Sequence, residues 1–282
     1  MLEIALVLFA ALLHATWNGL LKHSKNRLLS LSFNRLVGVV LGIALITLLP
    51  PITPKAWPYL FIASAIHIVY FFSLLGAYKH GDFSQVYPIS RGVAPVIILL
   101  VGGLWGTDSL GLYESVGVII ISLGIILLAG RLRGTDKRAL IYAAITAVCI
   151  AGYTFASGLG VRQTSTFIIY AAWLETLSGS SFIIISAIRY RRQIEWQHIR
   201  FETVKWDMLS GVLATGGFAV ALWAMSIIPI ATVAALRETS VVFAALIGWL
   251  FLGERYGVKR VFAALLVFIG IVTLLLGRKL MS

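Results

Sequence analysis

The sequence predicts an all-α fold: a polytopic membrane protein with ten transmembrane helices in two inverted five-helix repeats. Three observations carry this. The 282 residues are 60% hydrophobic and 12% charged, against about 25% charged in a soluble domain. Ten apolar segments each approach the roughly 20 residues that cross a bilayer. The second half of the chain also repeats landmarks of the first at one fixed offset.

The predicted spans are 2–21, 29–49, 57–79, 83–104, 112–130, 138–157, 165–188, 206–227, 231–252 and 258–276. Short breaks separate them, among them Pro50-Pro51, Gly81-Asp82 and Gly253-Glu254. The opening segment lacks a basic start and an obvious cleavage site, so it is expected to be the first membrane helix rather than a signal peptide. The longest polar stretch, Arg189 to Asp207, is too short for a domain.

A shift of 146 positions places Arg91 on Arg237, Gly102 on Gly248, Asp108 on Glu254, Gly111 on Gly257 and Gly124 on Gly270. Charged residues and glycines coinciding at one offset mark a repeat, with expected halves 1–130 and 138–276. Each half holds five spans. An odd number forces the second copy to lie upside down relative to the first, a recurrent transporter plan.

Of the 23 Lys and Arg, Arg35, Arg91 and Arg237 lie well inside predicted spans, and Lys79, Arg138, Lys259 and Arg260, at span edges, are counted with the adjoining loops. Sixteen of the other 20 fall in loops after odd-numbered spans and four, Lys55, Arg162, Arg278 and Lys279, on the other side. Positive charge favours the cytoplasm, so the count places both termini outside. The net charge of +12 therefore reads as an orientation signal and contact with anionic lipid, with no nucleic-acid partner expected. The single Cys149 reads as a small buried hydrophobe.

The stretch Val242 to Glu254, VFAALIGWLFLGE, with Gly270 in the helix after it, resembles the end-of-repeat signature of the EamA-like branch of the drug/metabolite transporter superfamily. Its first-half counterpart is Pro95 to Asp108, and Leu12 to Lys22, LLHATWNGLLK, is similar to the first helix of many members. The resemblance implies a permease for a small metabolite, with export the commoner direction, placed in a cell membrane such as the bacterial inner membrane. It also implies a central site among helices 1–4 and 6–9, with helices 5 and 10 peripheral. Some relatives with this opening helix accompany phosphonate-catabolism genes, which points towards an anionic organic solute. Many members are drawn with both termini in the cytoplasm, the reverse of the charge count.

An ionised side chain inside a bilayer costs a few kcal/mol or more and generally faces a wet cavity or a partner. The candidates are Arg35, Arg91, Glu175, Arg237 and Glu238. They suit a cationic cavity for an anionic or amino-acid-like group, or structural ion pairs. His14, Trp17 and Asn18 share one side of helix 1; His67 and Tyr70 share one on helix 3; Tyr87, Ser90 and Arg91 share one on helix 4. Such stripes fit a cavity lining and fit helix packing equally. His14 is the candidate for a coupling proton. Gly38 with Gly42 and Gly102 with Gly106 fit close helix contact. Trp57, Trp105 and Trp206 fit the membrane interfaces.

The sequence holds no Walker loop, His-Glu-x-x-His site, Gly-x-Ser-x-Gly elbow or ligand-spaced Cys/His cluster. No cofactor, metal or catalytic residue is expected. The rival reading is a membrane enzyme or a non-transporting membrane partner protein, and the inverted repeat favours the transporter.

Overall fold

The computed structural model describes residues 2–24, 26–81, 83–106, 110–129, 136–189, 201–244, 246 and 258–281. Among them there is no strand. The helices are α1 (Leu2–His23), α2 (Arg27–Leu48), α3 (Trp57–His80), α4 (Phe83–Trp105), α5 (Leu112–Leu128), α6 (Lys137–Val161), α7 (Phe167–Arg189), α8 (Phe201–Ile227), α9 (Ile230–Glu238) and α10 (Val258–Met281). Eight are long and apolar enough to cross a membrane, and α5 is a shorter apolar helix.

Local chemistry sets the boundaries. Asn26 caps α2 by accepting from Leu29 N at 3.1 Å, and Asp136 caps α6 through Arg138 N at 2.8 Å. Prolines at 54 and 58 open the third span, where a missing N–H costs nothing. Gly106, at φ +63°, ends α4 in the left-handed region that suits glycine. No atom lies within 4 Å of where its Cβ would stand, so at Gly106 the expected close helix contact is replaced by a helix stop.

Two expectations need correcting. Span 9 is not one continuous helix from 231: α9 ends at Glu238, a turn occupies Thr239, and helix resumes at 240–244. Thr239 Oγ1 donates to Leu236 O at 2.6 Å, a side-chain bond that competes with the helical ladder. Helix α8 begins at Phe201, five residues before the predicted span 206–227, so the end of the polar stretch up to Asp207 is helical. Asp108, Gly248, Glu254 and Gly257 lie outside the described residues, as does most of the Val242–Glu254 stretch.

The packing has an internal symmetry. Helices in contact include α5 with α10, α3 with α6, α2 with α7, α1 with α8 and α4 with α9. Exchanging each helix with the one five places away maps α3–α6 onto α8–α1 and returns the other three pairs to themselves. The contacts α2–α8 and α7–α3 exchange in the same way, as do α4–α6 and α9–α1. The bundle is thus two five-helix repeats of opposite orientation.

At the periphery, α5 and α10 cross backbone to backbone. A Cβ on Gly117 would stand 2.7 Å from Leu274 N and 2.8 Å from Gly270 O, and one on Gly270 would stand 2.8 Å from Ile121 N. Large apolar side chains such as Val40, Leu104, Ile184 and Phe268 are exposed, while Asn34, Arg91, Glu175 and Glu238 are buried. That inside-out distribution is what a lipid solvent requires.

Candidate functional site

Near the middle of the bundle, α1, α2, α3, α6, α7, α8 and α9 leave a cavity of about 40 Å³. A water needs about 10–15 Å³ on this measure, so the space suits a few waters and no organic solute. A larger ligand requires the lining helices to part.

Seven of the twelve expected site residues line this cavity: His14, Trp17, Arg35, His67, Tyr70, Glu175 and Arg237. Sequence reasoning missed Tyr153, Ser178 and Phe218, which line it too. Tyr153 stacks on His67 with centroids 3.8 Å apart, and Phe218 meets the same imidazole edge-on at 5.7 Å. Aromatic residues are abundant in every span, so nothing in the sequence distinguished these.

The three membrane arginines occupy three different environments. Arg35 Nη1 donates to Glu175 Oε2 at 3.2 Å, and its Nε donates to Asn34 Oδ1 at 2.9 Å. Gly38 permits this, because a Cβ there would stand 2.4 Å from Glu175 Oε2. Arg91 Nη1 donates to both carboxylate oxygens of Glu238, at 2.9 and 3.2 Å. Its Nη2 meets His14 Nε2. Arg91 is 2% exposed and does not line the cavity, so the ion-pair arrangement describes its place here.

Arg237 differs from both. It is 5% exposed and faces the cavity. Among the described residues it makes no hydrogen bond and no ion pair, and its guanidinium lies 5.4 Å over the Phe218 ring. Arg35 over Phe71 and Arg91 over Tyr87 show the same 5.4 Å spacing. Each cation is thus supported by an aromatic face, but two also have a carboxylate and one does not.

His14 accepts from Trp17 Nε1 at Nδ1, 3.1 Å away, while Nε2 faces Arg91. A neutral imidazole has one acceptor nitrogen and a protonated one has none. Donor groups thus face both nitrogens, and a neutral ring can accept from only one of them. Asn18 donates within its own helix to His14 O, and Ser90 likewise to Val86 O. Both are buried but turned away from the cavity, as Tyr87 is.

The EamA-like transporter family model matches twice, over residues 1–130 and 137–276. The chain belongs to the EamA-like transporter family. It is accordingly a multi-pass membrane transporter of small molecules, a family assignment that points away from an enzyme. A curated relative named "Putative sugar uptake protein" from Listeria monocytogenes is 28% identical over 213 residues, covering 71% of this chain and 70% of its own. A crystal structure 15% identical superposes with a TM-score of 0.74 over 100% of this chain and 98% of the other, a likeness of fold.

Proposed function

We propose that this EamA-family chain is a secondary transporter that carries a small organic anion by alternating access, with Arg237 holding the anionic group. The observation that carries this reading is the cavity's charge count. Arg35 is paired with Glu175 and Arg91 with Glu238, which leaves Arg237 as a buried cation that makes no ion pair among the described residues. Such a cation is expensive to hold at mid-membrane unless a ligand completes it, and a planar guanidinium grips carboxylate or phosphate oxygens in pairs. His67, Tyr70 and Ser178 supply polar atoms and Trp17, Tyr153 and Phe218 supply flat faces for the rest of the solute.

The two halves, residues 1–130 and 138–276, would rock about this site and expose it to each side in turn. The exchange symmetry of the packing and the double match of the family model support that division. Export is carried over from the family likeness, and the bacterial inner membrane is the placement we assign. The name of the Listeria relative favours a second reading, uptake of a sugar. The aromatic faces suit sugar rings equally, so a sugar acid or sugar phosphate satisfies both readings.

The test is counterflow in proteoliposomes loaded with one member of a panel: small carboxylates, phosphonates, sugar acids, sugar phosphates and neutral hexoses. Exchange of anions that Arg237→Gln abolishes is the expected result. Exchange of neutral hexoses alone, unchanged in Arg237→Gln, would overturn the anion reading, and the loaded side gives the direction.

A further inference from the structure

Asp207 stands apart from the cavity and from both ion pairs. It lies in the second turn of α8, 7% exposed, and Ser30 Oγ donates to its Oδ1. One turn deeper, Asn34 Nδ2 donates to Ser210 Oγ at 2.8 Å, and Ser210 Oγ donates to Asp207 O at 2.7 Å. Asn34 Oδ1 then accepts from Arg35, which reaches Glu175 on the cavity wall. A continuous buried polar ladder therefore runs along the α2–α8 seam, from one end of the bundle to the cavity.

The charges near this seam are directed elsewhere. On α2, Arg27 donates to Tyr78 O and Arg35 is committed to Asn34 and Glu175. On α8 itself, the Lys205 ammonium sits 5.9 Å over Trp206. From α1, His14 faces Arg91 and Trp17, and from α7, Glu175 faces Arg35 and Arg189 is at the helix end. From α9, Glu238 faces Arg91, while Arg237 faces the cavity. The side chains of Lys22, His23 and residues 201–203 lie outside the described set. Among the described residues, Asp207 is thus a buried carboxyl whose side-chain partner is a neutral hydroxyl.

At the opposite end of the bundle the seam has different chemistry. There α3 and α7 meet through Trp57, which touches Trp173 edge-on at 5.0 Å and stacks on Phe61 at 5.3 Å. The rings that meet there, Trp57, Trp173 and Phe61, carry no titratable group.

We infer that Asp207 is a proton-binding latch: protonated, it holds α2 against α8 and closes the cavity at that end; ionised, it takes up water and parts the two helices. The inference rests on the transporter reading but adds a second ligand, the proton, at a site distinct from the solute's. A buried carboxylate is poorly served by one hydroxyl, whereas a carboxylic acid both accepts from and donates to such neighbours. Opening at the α8 start would then release a proton to that side, and opening at the Trp57 end would not. The coupling is therefore confined to one face.

The test needs no solute. A reporter cysteine replaces Ser178 on the cavity wall, in full-length protein carrying Cys149→Ala and reconstituted in liposomes. A small water-soluble maleimide is then added from each side at several pH values. Labelling from the α8-start side should rise about tenfold between about pH 5 and about pH 8, beyond the reagent's own pH dependence measured on denatured protein. Labelling from the other side should stay flat. Asp207→Asn, which mimics the protonated acid, should remain slow at every pH, while Glu114→Gln, a buried carboxyl at the start of peripheral α5, should keep the rise. A rise that persists in Asp207→Asn, or that disappears in Glu114→Gln but not in Asp207→Asn, overturns the proposal. So does a flat profile in the parent. Failure of anion counterflow with a pH-dependent latch intact would instead count against Arg237's role alone.

Discussion

Replacing Glu238 by Gln should destabilise the protein by about 3 kcal/mol. Arg91 is 2% exposed, and Glu238 accepts from its Nη1 at 2.9 and 3.2 Å. Breaking a buried ion pair by removing one partner costs about 3–5 kcal/mol, because the other charge is left stranded. Gln keeps one acceptor oxygen, which places the expectation at the low end. A neutral hydrogen bond contributes only about 0.5–1.5 kcal/mol, so the stranded charge decides the size of the effect. The pair also fastens the last turn of α9 to α4, just before the helix breaks at Thr239. The assay is reversible unfolding in mixed micelles, run as a double-mutant cycle with Arg91→Met. Removing both charges should restore most of the stability. A single Glu238→Gln cost below about 1 kcal/mol, or a double variant as weak as the two singles added, would refute the reasoning.

Arg237→Gln should fold and insert normally yet bind anions about 10–100-fold more weakly, as charge-assisted hydrogen bonds are lost, and Arg237→Lys should recover part of the loss; isothermal titration on detergent-solubilised protein measures both. Gly117→Ala should cost about 1–3 kcal/mol in the same unfolding assay, because backbone atoms of α10 stand within 2.8 Å of the new methyl and cannot swing aside, whereas Gly103→Ala, with open space around it, should change little. Reporter fusions after Arg192 should behave as cytoplasmic and fusions at Ser282 as external; the reverse would show that the Lys and Arg count does not set this topology.

The fold was legible because it depends on coarse properties. Span length, apolar content and the coincidence of Arg91 with Arg237 at one offset need no knowledge of side-chain contacts. The charged site residues were legible for a related reason: an Arg or Glu amid apolar residues is costly enough to stand out. Their pairing was not. Arg35 with Glu175 and Arg91 with Glu238 are separated by 140 and 147 residues, and only packing decides which cation meets which carboxylate. Asn34 and Ser210 were missed because a single neutral polar residue in a span is ordinary. Asp207 was missed because the charge-rich segment before it masks the start of α8 in any hydropathy window. The helix break at Thr239 depends on one side-chain hydrogen bond, which the residue type permits without requiring.

The positions of these contacts along the helices bear on how the two halves can move. Both ion pairs join a cation in the first half of the chain to a carboxylate in the second. Arg35 lies eight residues into α2 and Glu175 eight into α7, which at 1.5 Å per residue is roughly 12 Å from the helix starts, close to mid-membrane. Ser30 lies only three residues into α2, and Trp57 opens α3 at the other end. A small rotation of one half against the other displaces the ends of the helices far more than their middles. The mid-depth ion pairs can therefore persist through such a motion and keep the halves in register, while the contacts that must break lie at the ends: Ser30 with Asp207 on one side, Trp57 with Trp173 on the other. Charge at the pivot and separable contacts at the rims is an arrangement that permits opening to one side at a time without exposing the paired charges to lipid.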